Sequence, residues 1–116
     1  MADACLFISW NRPFSGRERE TYSLLLSQGL EQLENFQRAG WFESYETIGL
    51  TPHGGSLNGF LLLRGERKKL DELRRSDDFE RFSLQLGATL DGYGVVPGVT
   101  LEGLKKVRER NPNLFG

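Results

Sequence analysis

A chain of 116 residues, 38% hydrophobic and 27% charged, has the make-up of one ordinary globular domain, long enough to bury a core without disulfides or metals. A formal net charge of −1 argues against a protein that grips nucleic-acid phosphates, which needs a basic surplus. The single cysteine, Cys5, excludes an internal disulfide, no apolar run is long enough to span a bilayer, and the opening residues show no basic-then-apolar leader; a cytoplasmic protein is expected.

The first expected element is a strand over Cys5–Trp10, short, apolar and β-prone, stopped by Asn11-Arg12-Pro13. Alternation puts Leu6, Ile8 and Trp10 on one face and Cys5, Phe7 and Ser9 on the other. A helix follows. Ser15 and Glu18 have the spacing of a capping box, and Tyr22, Leu25, Leu26, Gly29, Leu30, Leu33 and Phe36 form an apolar stripe. Gly40 is its stop signal. Such a helix runs to about 23 residues, roughly 35 Å, which is long for this domain. It either overhangs the sheet or breaks near Gly29.

A hairpin comes next, with strands in Trp41–Leu50 and Leu57–Leu63 joined by Thr51-Pro52-His53-Gly54-Gly55-Ser56. Its second strand is apolar on both faces, the pattern of a strand covered on both sides. Gly65 ends it. Leu70 and Leu73 mark a short helix over Glu66–Arg75. Ser76 caps a second helix carrying Phe79, Phe82, Leu86 and Leu90. A last strand is expected over Gly92–Val96, closed by Pro97-Gly98. Thr100 then caps a final helix to Arg110 with Leu101, Leu104 and Val107 inward, followed by a tail with Leu114 and Phe115.

The order β-α-β-β-α-β plus a C-terminal helix defines a single α+β domain over residues 1–116, with a four-stranded antiparallel sheet and helices on one face, the ferredoxin-like arrangement. One helical layer covers one sheet face only. A second copy of the chain is the simplest cover for the other, so a homodimer is expected.

The run from Gly65 through Leu70 and Leu73 to Ser76-Asp77-Asp78-Phe79 resembles the step "short helix, Ser-x-x-Phe, long helix" before the last strand in the dimeric α+β-barrel superfamily. The resemblance extends over nearly the whole chain as an order of elements. It implies two four-stranded sheets facing each other as a barrel. The superfamily includes antibiotic-biosynthesis-type and haem-degrading monooxygenases, chlorite- and dye-acting haem enzymes, muconolactone-isomerase-like proteins and stress-responsive domains, so fold alone does not choose an activity. The Asn–Trp–His set of the haem-degrading members is not evident, since Trp10 and Asn11 are adjacent and His53 lies in a loop. No cofactor and no metal site is expected.

Two residues are candidates for proton transfer. His53 is the only histidine, the residue type suited to acid–base work near neutral pH, and Glu46 sits among apolar strand residues where a carboxylate can act as a base. Trp10, Tyr45 and Phe60, with Phe7, are candidates for the walls of a pocket for a small organic molecule, and Asn58 and Arg64 for orienting its polar end. Each also has a plain structural role open to it: loop tip, ion pair, core or dimer interface. A cofactor-free monooxygenase- or isomerase-like enzyme is thus one reading. A non-catalytic dimeric module with a packed interior is the other. An RNA-recognition motif shares the element order, but its basic surface and triple aromatics on the third strand are missing. The glycines Gly92, Gly94 and Gly98 do not form a dinucleotide fingerprint. Neither nucleic acid nor membrane is expected as a partner.

Overall fold

A computed structural model describes residues 2–115; Met1 and Gly116 lie outside the described residues. Strand β1 spans Ala4–Trp10. Helix α1 (Glu18–Ser23) continues through a π turn (Leu24–Gln28) into α2 (Gly29–Arg38). Strands β2 (Ser44–Gly49) and β3 (Gly59–Gly65) make the hairpin. Helices α3 (Arg67–Arg74) and α4 (Asp77–Gly87) lead to β4 (Gly94–Val99). Helix α5 (Leu101–Arg110) and the single turn α6 (Pro112–Phe115) follow. The four strands lie in the order β2-β3-β1-β4, all antiparallel, which is the expected ferredoxin-like sheet. Among the described residues no helix is long and apolar enough to cross a membrane.

Alternation along the two central strands decides where the core lies. Leu6, Ile8 and Trp10 of β1 and Leu61 and Leu63 of β3 are buried beneath the helices. The helices close over them with Leu33, Phe36, Leu70, Leu73, Phe79 and Phe82. Phe79 and Phe82 stack tilted with ring centroids 5.8 Å apart, and Phe36 meets Phe82 edge-on at 6.2 Å. Ser76 caps α4 as expected, its Oγ accepting from the Phe79 N–H at 3.2 Å.

Several expectations are corrected. Ser15 caps nothing: α1 starts at Glu18 behind Arg17, with no side-chain cap. Arg17 instead donates to Glu20, and the buried Thr21 donates to the Arg17 carbonyl at 2.9 Å while facing the Thr89 carbonyl, just past α4, at 3.4 Å. The long helix does not stop at Gly29; it changes pitch there. The extra residue of the π turn rotates the stripe, so that Thr21, Leu24, Gly29, Leu33 and Phe36 face the sheet while Tyr22, Leu26 and Leu30 face out. A regular 3.6-residue period had placed Tyr22, Leu26 and Leu30 inward and had left out Thr21 and Leu24. The first hairpin strand is shorter than expected, with Phe42 ahead of it in the core. The last strand runs on through Pro97 and Gly98. Because β4 is an edge strand, Pro97 removes no ladder bond there.

Helix α5 is capped by Thr100, which accepts from Gly103 N–H and donates to the Ala2 carbonyl. Its leucines, expected inward, are exposed, Leu101 by 65% and Leu104 by 54%. Gly103 is what meets the domain: a Cβ there would collide with the Asp3 carbonyl oxygen. Lys106 pairs with the Asp3 carboxylate at 3.2 Å. Burial alone would raise the Asp3 pKa, but the Lys106 bond and charge outweigh it and hold the carboxyl below its ordinary value.

Candidate functional site

The face of the sheet away from the helices is open. The strand registers arrange it in three rows running β2, β3, β1, β4. The first is Ser44, Arg64, Cys5, Gly98. The second is Glu46, Leu62, Phe7, Val96. The third is Ile48, Phe60, Ser9, Gly94. Large apolar groups fill the centre. Phe7 and Phe60 pack as a tilted pair with centroids 5.1 Å apart, and Val96 and Ile48 stand exposed beside them. The β1–β4 side is low, because it holds Cys5, Ser9 and two glycines. A Cβ on Gly98 would lie 3.1 Å from Cys5 Sγ, and one on Gly94 would meet nothing within 4 Å. The face is thus a ridge flanked by two hollows.

One ion pair interrupts this apolar surface. Arg64 donates through Nη1 to Glu46 Oε1, across the hairpin from β3 to β2. Both side chains are more than a third exposed in the single chain, where such pairs contribute at most about 1 kcal/mol. Covering the face with another sheet changes that: the charges would leave water and need each other. Only one guanidinium nitrogen is used by Glu46, which leaves further N–H donors on Arg64.

The sequence candidates fall into three places. Glu46, Arg64 and Phe60 share the open face, and Asn58 continues their parity just before β3, its N–H donating to the Trp10 carbonyl at 2.8 Å. Trp10 and Tyr45 are on the other side. Trp10 is 4% exposed within the core, and Tyr45 packs edge-on against Phe42 at 5.8 Å. The choice between Glu46 and Tyr45 as the residue facing the open side is therefore settled by register: Tyr45 pairs with buried Leu63, Glu46 with outward Leu62. His53 lies in the hairpin loop. Its Nδ1 accepts from Gly55 N–H at 3.2 Å, so the proton belongs on Nε2, which faces the Leu57 carbonyl at 2.8 Å. Both ring nitrogens hold the loop's own backbone. Among the described residues, no group of three His, Cys, Asp or Glu side chains could hold a metal ion.

Leu62, Val96 and the small residues of the low side were not singled out as site residues. The signal that finds them is strand parity, once the fully buried face of β1 and β3 is known.

No family profile and no curated protein matches the chain. Solved structures do match, at low identity. An ethyl tert-butyl ether D (EthD) family protein from Bacillus halodurans superposes with a TM-score of 0.64 at 7% identity, over 85% of this chain and 99% of that one. A dimeric ferredoxin-like protein of unknown function from Jannaschia gives 0.62 at 9% identity, over 84% and 97%. A dimeric protein of unknown function and ferredoxin-like fold from Bacteroides fragilis gives 0.60 at 11%, over 84% and 96%. The chain is an α+β protein of the ferredoxin-like fold, as its element order implied.

Proposed function

We propose that the protein is a cytoplasmic homodimer whose two open sheet faces meet as a barrel and enclose a small, mainly apolar organic molecule. The observation that carries this reading is the open face itself: a half-buried ridge of Phe7, Phe60 and Leu62, with Val96 and Ile48 exposed beside it and marked by the Glu46–Arg64 pair. Apolar surface of this kind belongs against another surface. Two of the similar structures are described as dimeric proteins, which agrees with it.

In this reading Phe60 and Phe7 are the walls. Arg64 donates to a carbonyl or other oxygen of the ligand, and Asn58 borders the opposite end. Glu46, held by Arg64, is the group that takes a proton, and no bound cofactor takes part. Trp10 and Tyr45 brace the sheet from behind, and His53 keeps the hairpin loop in shape. A proton-transfer step, as in an isomerase or a cofactor-free monooxygenase, is the chemistry this set can support.

Native mass spectrometry of the full chain tests the proposal. The expected spectrum is a dimer that keeps a small organic molecule from the expression host, and Arg64→Gln keeps the dimer while losing the molecule. A monomer would overturn the barrel. A dimer without any adduct, equally compact in wild type and Arg64→Gln, would leave the packed, non-catalytic module in its place.

A further inference from the structure

Helix α5 is built as an arm. Thr100, Gly103 and Lys106 tie its first two turns to Ala2 and Asp3. Of residues 101–114, only Gly103 is buried and only Val107 half-buried. The chain measures 52 × 36 × 19 Å, and its radius of gyration of 15.6 Å exceeds the roughly 13 Å of a compact domain this long. The face of α5 turned away from Gly103 carries Leu101, Leu104 and Arg108, three and then four residues apart.

A shallow apolar groove of about 520 Å³ lies near the other end of β4, between α4 and Tyr93. Glu80, Leu84 and Gly87 run along it, four and then three residues apart, with Ser83, Ala88 and Tyr93 beside them. Leu84 stands 66% exposed. A Cβ on Gly87 would come within 3.4 Å of the Tyr93 ring, so glycine leaves room there for an incoming side chain. The first turn of α4 is acidic, with Asp77, Asp78 and Glu80, whereas the last turn of α5 is basic, with Arg108 and Arg110.

The two stripes match when the helices run antiparallel. Leu101 then falls on Gly87, Leu104 on Leu84 and Arg108 on Glu80, apolar on apolar and cation on anion. A parallel arrangement sets Leu101 on Glu80 and Arg108 on Gly87 instead. The arm does not reach its own groove. β4 holds the two about 20 Å apart, and the Lys106–Asp3 pair keeps α5 at the far end. A second copy removes the obstacle. Where β4 and its counterpart run antiparallel about a two-fold axis, the C-terminal end of each lies at the N-terminal end of the other, which sets arm beside groove twice.

We propose that in the homodimer α5 of each protomer docks antiparallel on α4 of the other, with Leu104 against the partner's Leu84 and Arg108 against the partner's Glu80. This rests on the dimer proposed above and adds a second contact to it. A few side chains per copy supplement the sheet-to-sheet interface and do not hold a dimer alone.

Disulfide trapping in the full chain tests the docking, with Cys5→Ser removing the native thiol. Copies carrying Leu84→Cys are mixed with copies carrying Leu104→Cys, left to exchange and oxidised. The expected product is a mixed covalent dimer, absent when either variant is oxidised alone. Sedimentation gives the second readout. Glu80→Arg should weaken the dimer about tenfold through its two symmetry-related pairs, and adding Arg108→Glu should restore it. Both residues are exposed, so the fold tolerates the exchange. A monomeric wild type overturns the dimer and the docked arm together. A dimeric wild type overturns the docked arm alone if no mixed disulfide forms, if each single variant cross-links as well as the mixture, or if the double variant stays as weak as Glu80→Arg.

Discussion

Replacing Gly29 by alanine inverts an ordinary rule. In an exposed helix interior the change stabilises by about 1 kcal/mol, because glycine is the more flexible residue in the unfolded chain. Here Gly29 is buried and its N–H reaches back five residues to the Leu24 carbonyl. The new methyl group would occupy the space of that same oxygen. Relief requires breaking the bond, worth about 1 kcal/mol net, and shifting α1 or α2 against a packed core that includes Leu24, Leu33 and Phe82. Overpacking of this kind costs roughly 1–3 kcal/mol. Setting the propensity gain against the two penalties leaves the variant less stable by about 1–3 kcal/mol, a melting point lower by on the order of 5–10 °C at this size. Urea unfolding followed by circular dichroism measures it. A Gly29→Ala protein as stable as the parent would refute the π-turn account of why glycine is there.

Other outcomes follow from the same structure. Burial, partly offset by the hydrogen bond to Ser83 Oγ at 2.9 Å, raises the Tyr93 pKa above its ordinary 10.0. The folded state thus favours the neutral phenol, so this contribution is complete below pH 10 and is lost as pH rises through the higher folded value; stability should fall on the alkaline side, and less steeply in Tyr93→Phe. Ser76→Ala removes the α4 cap and should cost about 1 kcal/mol in chemical denaturation, whereas Ser15→Ala should change almost nothing. Nitrogen chemical shifts of His53 at neutral pH should report the proton on Nε2, with Nδ1 unprotonated; the reverse tautomer would show that the Gly55 contact is absent in solution.

The strands, their order and the division of β1 into two faces were legible because period-two alternation is strong in Leu6, Ile8, Trp10 and again in Leu61, Leu63, but not which face turns to the core: Trp10, a candidate pocket wall, is buried there. The double-sided apolarity of β3 likewise pointed to a second cover. Where the reading fell short, a local rule met a non-local fact. The stripe through Tyr22, Leu26 and Leu30 follows a uniform helix, but one π turn rotates half of it to the surface. Nothing in the residue types announces that turn except a glycine on the buried side. Helix α5 has the same inward pattern of leucines, yet it is anchored by Thr100, Gly103 and Lys106 instead. For the candidate site, Glu46 and Arg64 are 18 positions apart, and only hairpin register joins them. Trp10 and Tyr45 share aromatic character with Phe60 but have the opposite parity, which composition cannot reveal.

The central claim is that the open sheet face meets its copy. Sedimentation equilibrium of the wild type and of Phe7→Glu tests it most directly, since Phe7 lies mid-ridge on that face and outside the buried core. The account predicts twice the chain mass for the wild type and the single-chain mass for a folded Phe7→Glu. A monomeric wild type, or a Phe7→Glu dimer as tight as the parent, would contradict it.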